Sequence, residues 1–294
     1  MVVDRLTPEM VAHAHRTVTA AKAADGVAPL SEQSEQAIES VATPALRHVV
    51  TDVGYANISI GRDDEPAMIE AVVHPASRGH GHGRELLQAA FAVAREMVAE
   101  PAPRVWAHGD LPAAVATAAS LGLSRRRELL QLRRPVGGDA DDLPALEVAD
   151  DIVLRTYAGA ADDAEILRVN NAAFDWHPEQ GGWSVEQISE RVHSSWFDPE
   201  GLFLAFDAAD PTTLLGFHWT KRHDADLGEV YIVGVDPAAQ GRGLGRLLTL
   251  AGLHHLADRG MAEVELYVEG DNAAALRTYE RLGFTRYAID VAYG

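Results

Sequence analysis

Three glycines at alternating positions occupy the string Gln240-Gly241-Arg242-Gly243-Leu244-Gly245, between a strand-like run and a helical one. Glycine lets a backbone take positive φ and approach a ligand closely. The free N–H groups of such a loop and of the first helical turn then point outward as an anion site. Arg242 and Arg246 stand where cationic donors would reach phosphate oxygens. The chemistry implied is the binding of a phosphorylated ligand, although a tight strand-to-helix turn accounts for three glycines equally well. The spacing lacks the third glycine of a dinucleotide fingerprint. No Gly-Lys-Ser/Thr follows, which excludes a P-loop.

The same turn occurs earlier in the chain. Val73-His74-Pro75 and Arg78-Gly79-His80-Gly81-His82-Gly83 repeat Val235-Asp236-Pro237 and the glycine string, with Pro75 and Pro237 162 residues apart. Gly54-Tyr55 matches Gly216-Phe217 at that offset. Gly109-Asp110 and Leu121-Gly122-Leu123 match Gly270-Asp271 and Leu282-Gly283-Phe284 at 161. A period this long exceeds the roughly 20–50 residues of solenoid repeats and predicts two duplicated domains. The Pro-, Gly- and Asp-rich stretch 134–144 is the expected seam between domains over 1–140 and 150–294. His80 and His82 fall at the positions of Arg242 and Leu244, so they read as loop residues rather than metal ligands. His254 and His255 read as helix packing, and no convergent ligand set suggests a zinc site.

The elements that must hold these residues follow from periodicity. Residues 214–219 and 229–235 predict strands, and Leu244, Leu247, Leu248, Ala251 and His255 keep helical spacing. Val264, Leu266 and Val268 share one face of a further strand, with Glu265 and Tyr267 on the other. Asp271 or Asn272 caps a helix that Gly283 ends. Strand, glycine turn, helix, strand, helix recurs in both halves, giving an α/β fold with a mixed sheet (α+β) in two copies.

Composition narrows the function classes. The 294 residues leave room for two ordinary cores, and 47% hydrophobic content suits a soluble globular protein. A net charge of −19, from 25 basic and 44 acidic residues, argues against nucleic acid or an anionic membrane as partner. The absence of cysteine removes disulfides and thiolate chemistry. No signal-peptide core opens the chain and no long apolar run follows, so a cytoplasmic protein, working as a monomer, is expected.

Val235-Asp236-Pro237 followed by the glycine string resembles the pyrophosphate-binding segment of the GNAT acetyltransferases. Asn272, Ala275, Tyr279 and Leu282-Gly283-Phe284 resemble their second segment. The resemblance implies two tandem GNAT domains with acetyl-CoA as donor. Its pyrophosphate would lie on Gln240, Gly241, Arg242, Gly243, Leu244, Gly245 and Arg246, its pantetheine along Val233, Gly234 and Val235. Asn272, Ala275 and Arg277 would add contacts. By the repeat, Val72, Val73, His74, His80, Gly81, His82, Gly83 and Arg84 would hold a second acetyl-CoA. Acetyl transfer to an amine needs a neutral, aligned nucleophile and benefits from a proton for the departing thiolate. Glu229 is placed as general base through water, and Tyr279 matches the position that protonates the coenzyme sulfur. At the repeat offsets these two fall on Ala67 and Ala118, so the first half is expected to be catalytically silent yet able to hold coenzyme.

Three longer strings resemble a tandem branch of that family. They are Ala28-Pro29-Leu30-Ser31-Glu32-Gln33, the stretch from Phe174 to Gly181, and Leu266–Asn272 running into Arg277-Thr278-Tyr279. The acceptor in that branch is the cysteinyl amine of desacetylmycothiol, a cysteine amide of glucosaminyl-inositol. The resemblance implies Glu32, Glu179, Lys221, Glu229 and Tyr267 as acceptor contacts. Carboxylates suit an ammonium group, and mixed donors and acceptors suit a sugar. Lys221 as a solvated cation and Glu32 as a helix-cap acid stay open, and Trp176 and Trp183 either wall the site or pin the loop. An α-amine, with pKa about 7.7–8.0, costs about 1 kcal/mol to deprotonate at neutral pH against about 4.6 for lysine, so a modest base suffices. Two further readings remain: a tandem GNAT acting on another small amine or a protein N-terminus, and a non-catalytic acetyl-CoA sensor. A pure sensor has no use for Glu229 and Tyr279.

Overall fold

A computed structural model describes residues 1–61, 65–137, 143–175 and 180–294. The chain divides into two compact units, Met1–Leu129 with Ala288–Gly294, and Leu130–Tyr287. Of the expected seam, residues 138–142 lie outside the described residues. Arg134 and Pro135 end a strand instead of opening a linker, because the Arg134 guanidinium is buried on the Leu282 carbonyl.

The first unit contains α1 (Pro8–Asp25), α2 (Glu32–Ala37), α3 (His82–Met97) and α4 (Pro112–Ser120). Its sheet is built from β1 (Val2–Val3), β2 (Leu46–Thr51), β3 (Gly54–Ser59), β4 (Met68–Val73) and β5 (Arg104–Ala107). β1 to β4 are antiparallel, β4 and β5 are parallel, and residues 291–293 pair antiparallel with β5. Alternation along β3 sends Ala56 and Ile58 to the core under α3, with Leu86, Ala90 and Phe91. Tyr55 goes to a second core, with Ala14 and Val18 of α1.

A buried polar cluster crosses the point where β4 and β5 part. Glu70 accepts from the Ser31 N–H at 2.6 Å and from the Ser31 hydroxyl at 2.8 Å. His108, just beyond β5, lies 3.1 Å from Glu70 and 3.0 Å from Asp290. Burial opposes charge on this imidazole, but Asp290 and Glu70 outweigh it and push its pKa up to about 10. Burial also opposes charge on Glu70, yet His108 and Ser31 bring it below the ordinary carboxylate range.

After β6 (Arg125–Pro135), the second unit contains β7 (Ile152–Thr156), α5 (Asp163–Ala173), α6 (Val185–Val192) and β8 (Leu202–Asp207). β9 (Leu214–Arg222), β10 (Leu227–Val235), α7 (Leu244–Asp258), β11 (Glu263–Glu269) and α8 (Ala273–Arg281) follow. β7 to β10 are antiparallel and β10 runs parallel to β11. Both central strands are longer than their apolar runs predict. The hairpin between them is held by Asp224, whose carboxylate accepts from the N–H groups of Asp226 and Leu227, so pairing continues through polar residues. α7 is buried on several sides, through Leu247, Leu248, Leu250, Leu253 and Leu256. His254 Nε2 donates to the Pro144 carbonyl at 2.9 Å, and His255 lies 3.3 Å from Asp198.

A group with a raised folded pKa stabilises the fold fully below its ordinary value and loses that contribution as pH climbs through the raised one. Thermal stability of the whole chain should therefore decline between pH 6.5 and about 10 as His108 loses its proton. His108→Gln should flatten that decline in a melting-temperature series; an equally steep decline in the variant would contradict it.

Candidate active site

The pairing of β10 with β11 stops at Glu229–Glu265, although both strands continue. The β9 side then changes register, since Val230 pairs with Thr220 but Ile232 pairs with Trp219. Tyr231 is the extra residue of this bulge, which bends a strand and ends regular pairing. From Val230 onward β10 therefore offers backbone N–H and C=O groups on the side β11 has left. In the first unit, β3 and β4 pair without a shift, and β4 stays with β5 as far as Glu70–Trp106.

The registers also correct the counterpart of Glu229. The sequence offset matches it with Ala67. In space its neighbours are Lys221 on β9 and Glu265 on β11, which correspond to Ser59 and Arg104, and both of those flank Met68. The extra residue at Tyr231 causes the slip. The substance is unchanged, because Met68 carries no ionisable group either. Tyr279 and Ala118 hold equivalent places in helices of equal length, α8 and α4.

Glu229 is buried, at 7% exposure, beside a line of charges. His223 Nε2 lies 2.9 Å from its carboxylate and 3.4 Å from Glu265. Glu265 is in turn held by Arg133 at 2.7 Å and by the Gln131 amide at 2.6 Å. Composition and spacing gave no hint of His223, Gln131 or Arg133, since His223 comes from the β9–β10 turn and the other two from a separate strand, and only pairing joins them. Glu265, read on the polar face with Tyr267, is buried at 4% while Tyr267 is 45% exposed, because Arg133 and Gln131 cover it.

Tyr279 is half-buried and packs edge-on to Phe284, with ring centroids 5.8 Å apart. It borders the apolar cluster containing Val230, Leu266 and Val268. Burial pushes its pKa up to about 12, so the phenol keeps its proton at neutral pH. Among the described residues its hydroxyl has no protein hydrogen-bond partner, leaving it available as a donor.

Gly241 and Gly243 have φ of +82° and +76°, and Gly243 caps α7 without any side-chain hydrogen bond. The first N–H groups of α7 are thus left for an anion. Gly245 has ordinary φ, and a Cβ built on it meets nothing within 4 Å. These features fit the pyrophosphate of acetyl-CoA. Arg242 is engaged by Asp151 at 2.7 Å and Asp207 at 3.4 Å, while Arg246 is exposed. The first-unit turn keeps the shape, with φ of +80° at Gly79 and +89° at Gly81. His74 replaces Asp236 as the acceptor for the N–H two residues on. His82 lies 3.6 Å from Glu85, and Arg84 is exposed. Asn272 caps α8 by accepting from the Ala275 N–H at 3.1 Å.

Among the expected acceptor residues, Lys221 faces Glu229 across the β9–β10 pair, its ammonium 5.4 Å from the Trp196 ring centroid and 5.7 Å from that of Tyr231. Glu179 and Trp176 lie outside the described residues. Trp183 is buried under the Arg191 guanidinium, which favours pinning over walling. Glu32 opens α2 in the first unit, exposed, next to the capping Ser31. Among the described residues no group of three metal-ligating side chains could hold an ion, and no helix is long and apolar enough to cross a membrane.

A glycine turn that feeds a helix from a strand, and a carboxylate where that strand leaves its parallel neighbour, describe an acyl-transfer site built around a phosphorylated carrier. The Acetyltransferase (GNAT) family pattern matches residues 34–122 and 170–284, and the chain belongs to that family as a tandem N-acetyltransferase with acetyl-CoA as donor. It is 71% identical over 293 residues to the mycothiol acetyltransferase of Gordonia bronchialis, covering 100% of this chain and 94% of that relative. A GCN5-related N-acetyltransferase from Sphaerobacter thermophilus superposes with a TM-score of 0.75 at 23% identity, covering 99% of this chain and 94% of the other. A tandem GNAT protein from the clavulanic acid biosynthesis pathway gives 0.70 at 21% identity, with coverage of 100% and 96%.

Gly245→Ala separates ligand contact from backbone strain. It should leave the melting temperature nearly unchanged, within about 0.5 kcal/mol of stability, while raising KM for acetyl-CoA. An unaltered KM would mean that the pyrophosphate lies elsewhere.

Proposed function

We propose that this chain acetylates the cysteinyl amine of desacetylmycothiol, with Glu229 and Tyr279 of the second unit as the catalytic pair. One observation carries the chemistry: a buried carboxylate stands where β10 leaves β11, and Met68 stands in its place in the first unit. The acceptor is supported by the full-length likeness to relatives named mycothiol acetyltransferase. Glu32, Glu179, Lys221 and Tyr267 are its proposed contacts, with Lys221 and Glu229 already neighbours across two strands.

In the reaction the ammonium of the acceptor loses a proton through water to Glu229, and the free amine attacks the thioester carbonyl. The N–C bond forms, the C–S bond breaks, the sulfur leaves with the electron pair, and the acylated nitrogen gives its second proton to solvent. Handing a full proton from a phenol of pKa about 12 to a thiolate of ordinary pKa about 8.5 is uphill by about 5 kcal/mol. Tyr279 therefore serves first as a hydrogen-bond donor that stabilises charge growing on sulfur, with solvent completing the protonation. The first unit, keeping the glycine turn but lacking both groups, binds a second acetyl-CoA without turning it over. The reading extends to a monomeric cytoplasmic enzyme with neither nucleic-acid nor membrane partner, in line with the charge of −19.

Release of free CoA from acetyl-CoA and desacetylmycothiol tests the proposal. Glu229→Gln should slow turnover by about 10²- to 10⁴-fold, and Tyr279→Phe should lower kcat with little change in either KM. CoA release with other amines but not with desacetylmycothiol would reject the acceptor. Full activity in both variants would reject the site.

A further inference from the structure

We infer that His223 is a positioning residue that takes the acceptor's proton from Glu229 and passes it to solvent through the cavity beside Trp196. The inference rests on the reading of Glu229 as the base. An ammonium acceptor, acetylated by a thioester whose sulfur ends as a thiol, releases one net proton per turnover. Glu229 receives that proton in a buried place, its side chain only 10% exposed. The proton needs a way out.

His223 has the geometry for one. Its Nε2 lies 2.9 Å from Glu229 Oε2, and its side chain is 30% exposed. With Ser195, Trp196, Arg222 and Asp224 it lines an open cavity of about 340 Å³. Among the described residues its other ring nitrogen has no protein partner. One nitrogen thus meets the base while the ring borders solvent. Nε2 accepts the proton held by Glu229 and Nδ1 gives its own to water, so one proton enters and one leaves; exchange with solvent restores the tautomer.

The surrounding charges set the working pH. Glu229 from β10 faces the ring directly, Glu265 from β11 lies 3.4 Å away, and Lys221 approaches from β9. Asp224 on the hairpin and Arg133, which holds Glu265, complete the set, with Arg222 at the cavity wall. The hydrogen bond to Glu229 raises the pKa of His223 above 6.5, against the opposing effects of burial and Lys221. Below that raised value the ring is already charged and cannot accept from Glu229, so the rate falls as pH falls. Two groups must then lose protons on the acid side, the acceptor amine and His223, and the acid limb is second-order in protons.

The test is the pH profile of kcat/KM for desacetylmycothiol in the full-length protein, wild type against His223→Gln. The glutamine amide can still donate to Glu229 but cannot titrate. The expected result is a plateau about tenfold or more lower, an acid limb that becomes first-order, and unchanged acetyl-CoA binding. His223→Ala should regain rate with added imidazole. A His223→Gln profile of unchanged steepness, whether at full or uniformly reduced rate, overturns the relay while a crippled Glu229→Gln leaves the base standing. Full activity in Glu229→Gln would remove the base and the relay with it.

Discussion

Parallel strands held by evenly spaced hydrogen bonds leave no room for a ligand between them, and β10 and β11 obey that rule only as far as Glu229 and Glu265. Past that point the backbone of β10 is polar, extended and without its β11 partner, a condition that burial makes costly unless something else supplies hydrogen bonds. On the proposed reading the pantetheine arm, an extended amide chain, supplies them in the manner of an added strand. The bulge at Tyr231 keeps β10 joined to β9 while it turns away from β11. The glycine turn then delivers the start of α7 with its N–H groups uncapped. Split, carboxylate and anion site are thus consecutive features of one strand-turn-helix segment.

On the proposed reading, little separates a working copy from a silent one. Both keep positive φ at the same two glycines, and α4 and α8 are equally long. Where the second unit sets Glu229 against a half-exposed His223, the first unit has Met68 flanked by Ser59 and Arg104. Its own buried carboxylate, Glu70, is two residues further on and bonded to Ser31 and His108, with Asp290 closing the cluster. Such a buried network stabilises a fold and ties Glu70 to neighbours in its own unit.

Much of this was legible in the chain. The repeat of the glycine string revealed two units, because φ above zero at a strand-to-helix turn leaves few choices of residue. The Asn272 cap and the Val264, Leu266, Val268 face followed from local rules, and the structure has both. What was not legible depends on register. One inserted residue at Tyr231 moved the counterpart of Glu229 from Ala67 to Met68, and a fixed offset cannot see that. His223, Arg133 and Gln131 came to Glu229 and Glu265 through strand pairing, and Glu265 was buried by partners far away in sequence.

A crystal structure with acetyl-CoA bound tests the central claim most directly. The thioester should lie in the gap beyond Glu229 and Glu265, alongside Val230–Val235, with its sulfur within hydrogen-bond reach of the Tyr279 hydroxyl. A thioester seated outside that gap, with the phenol turned away from the sulfur, would contradict the account.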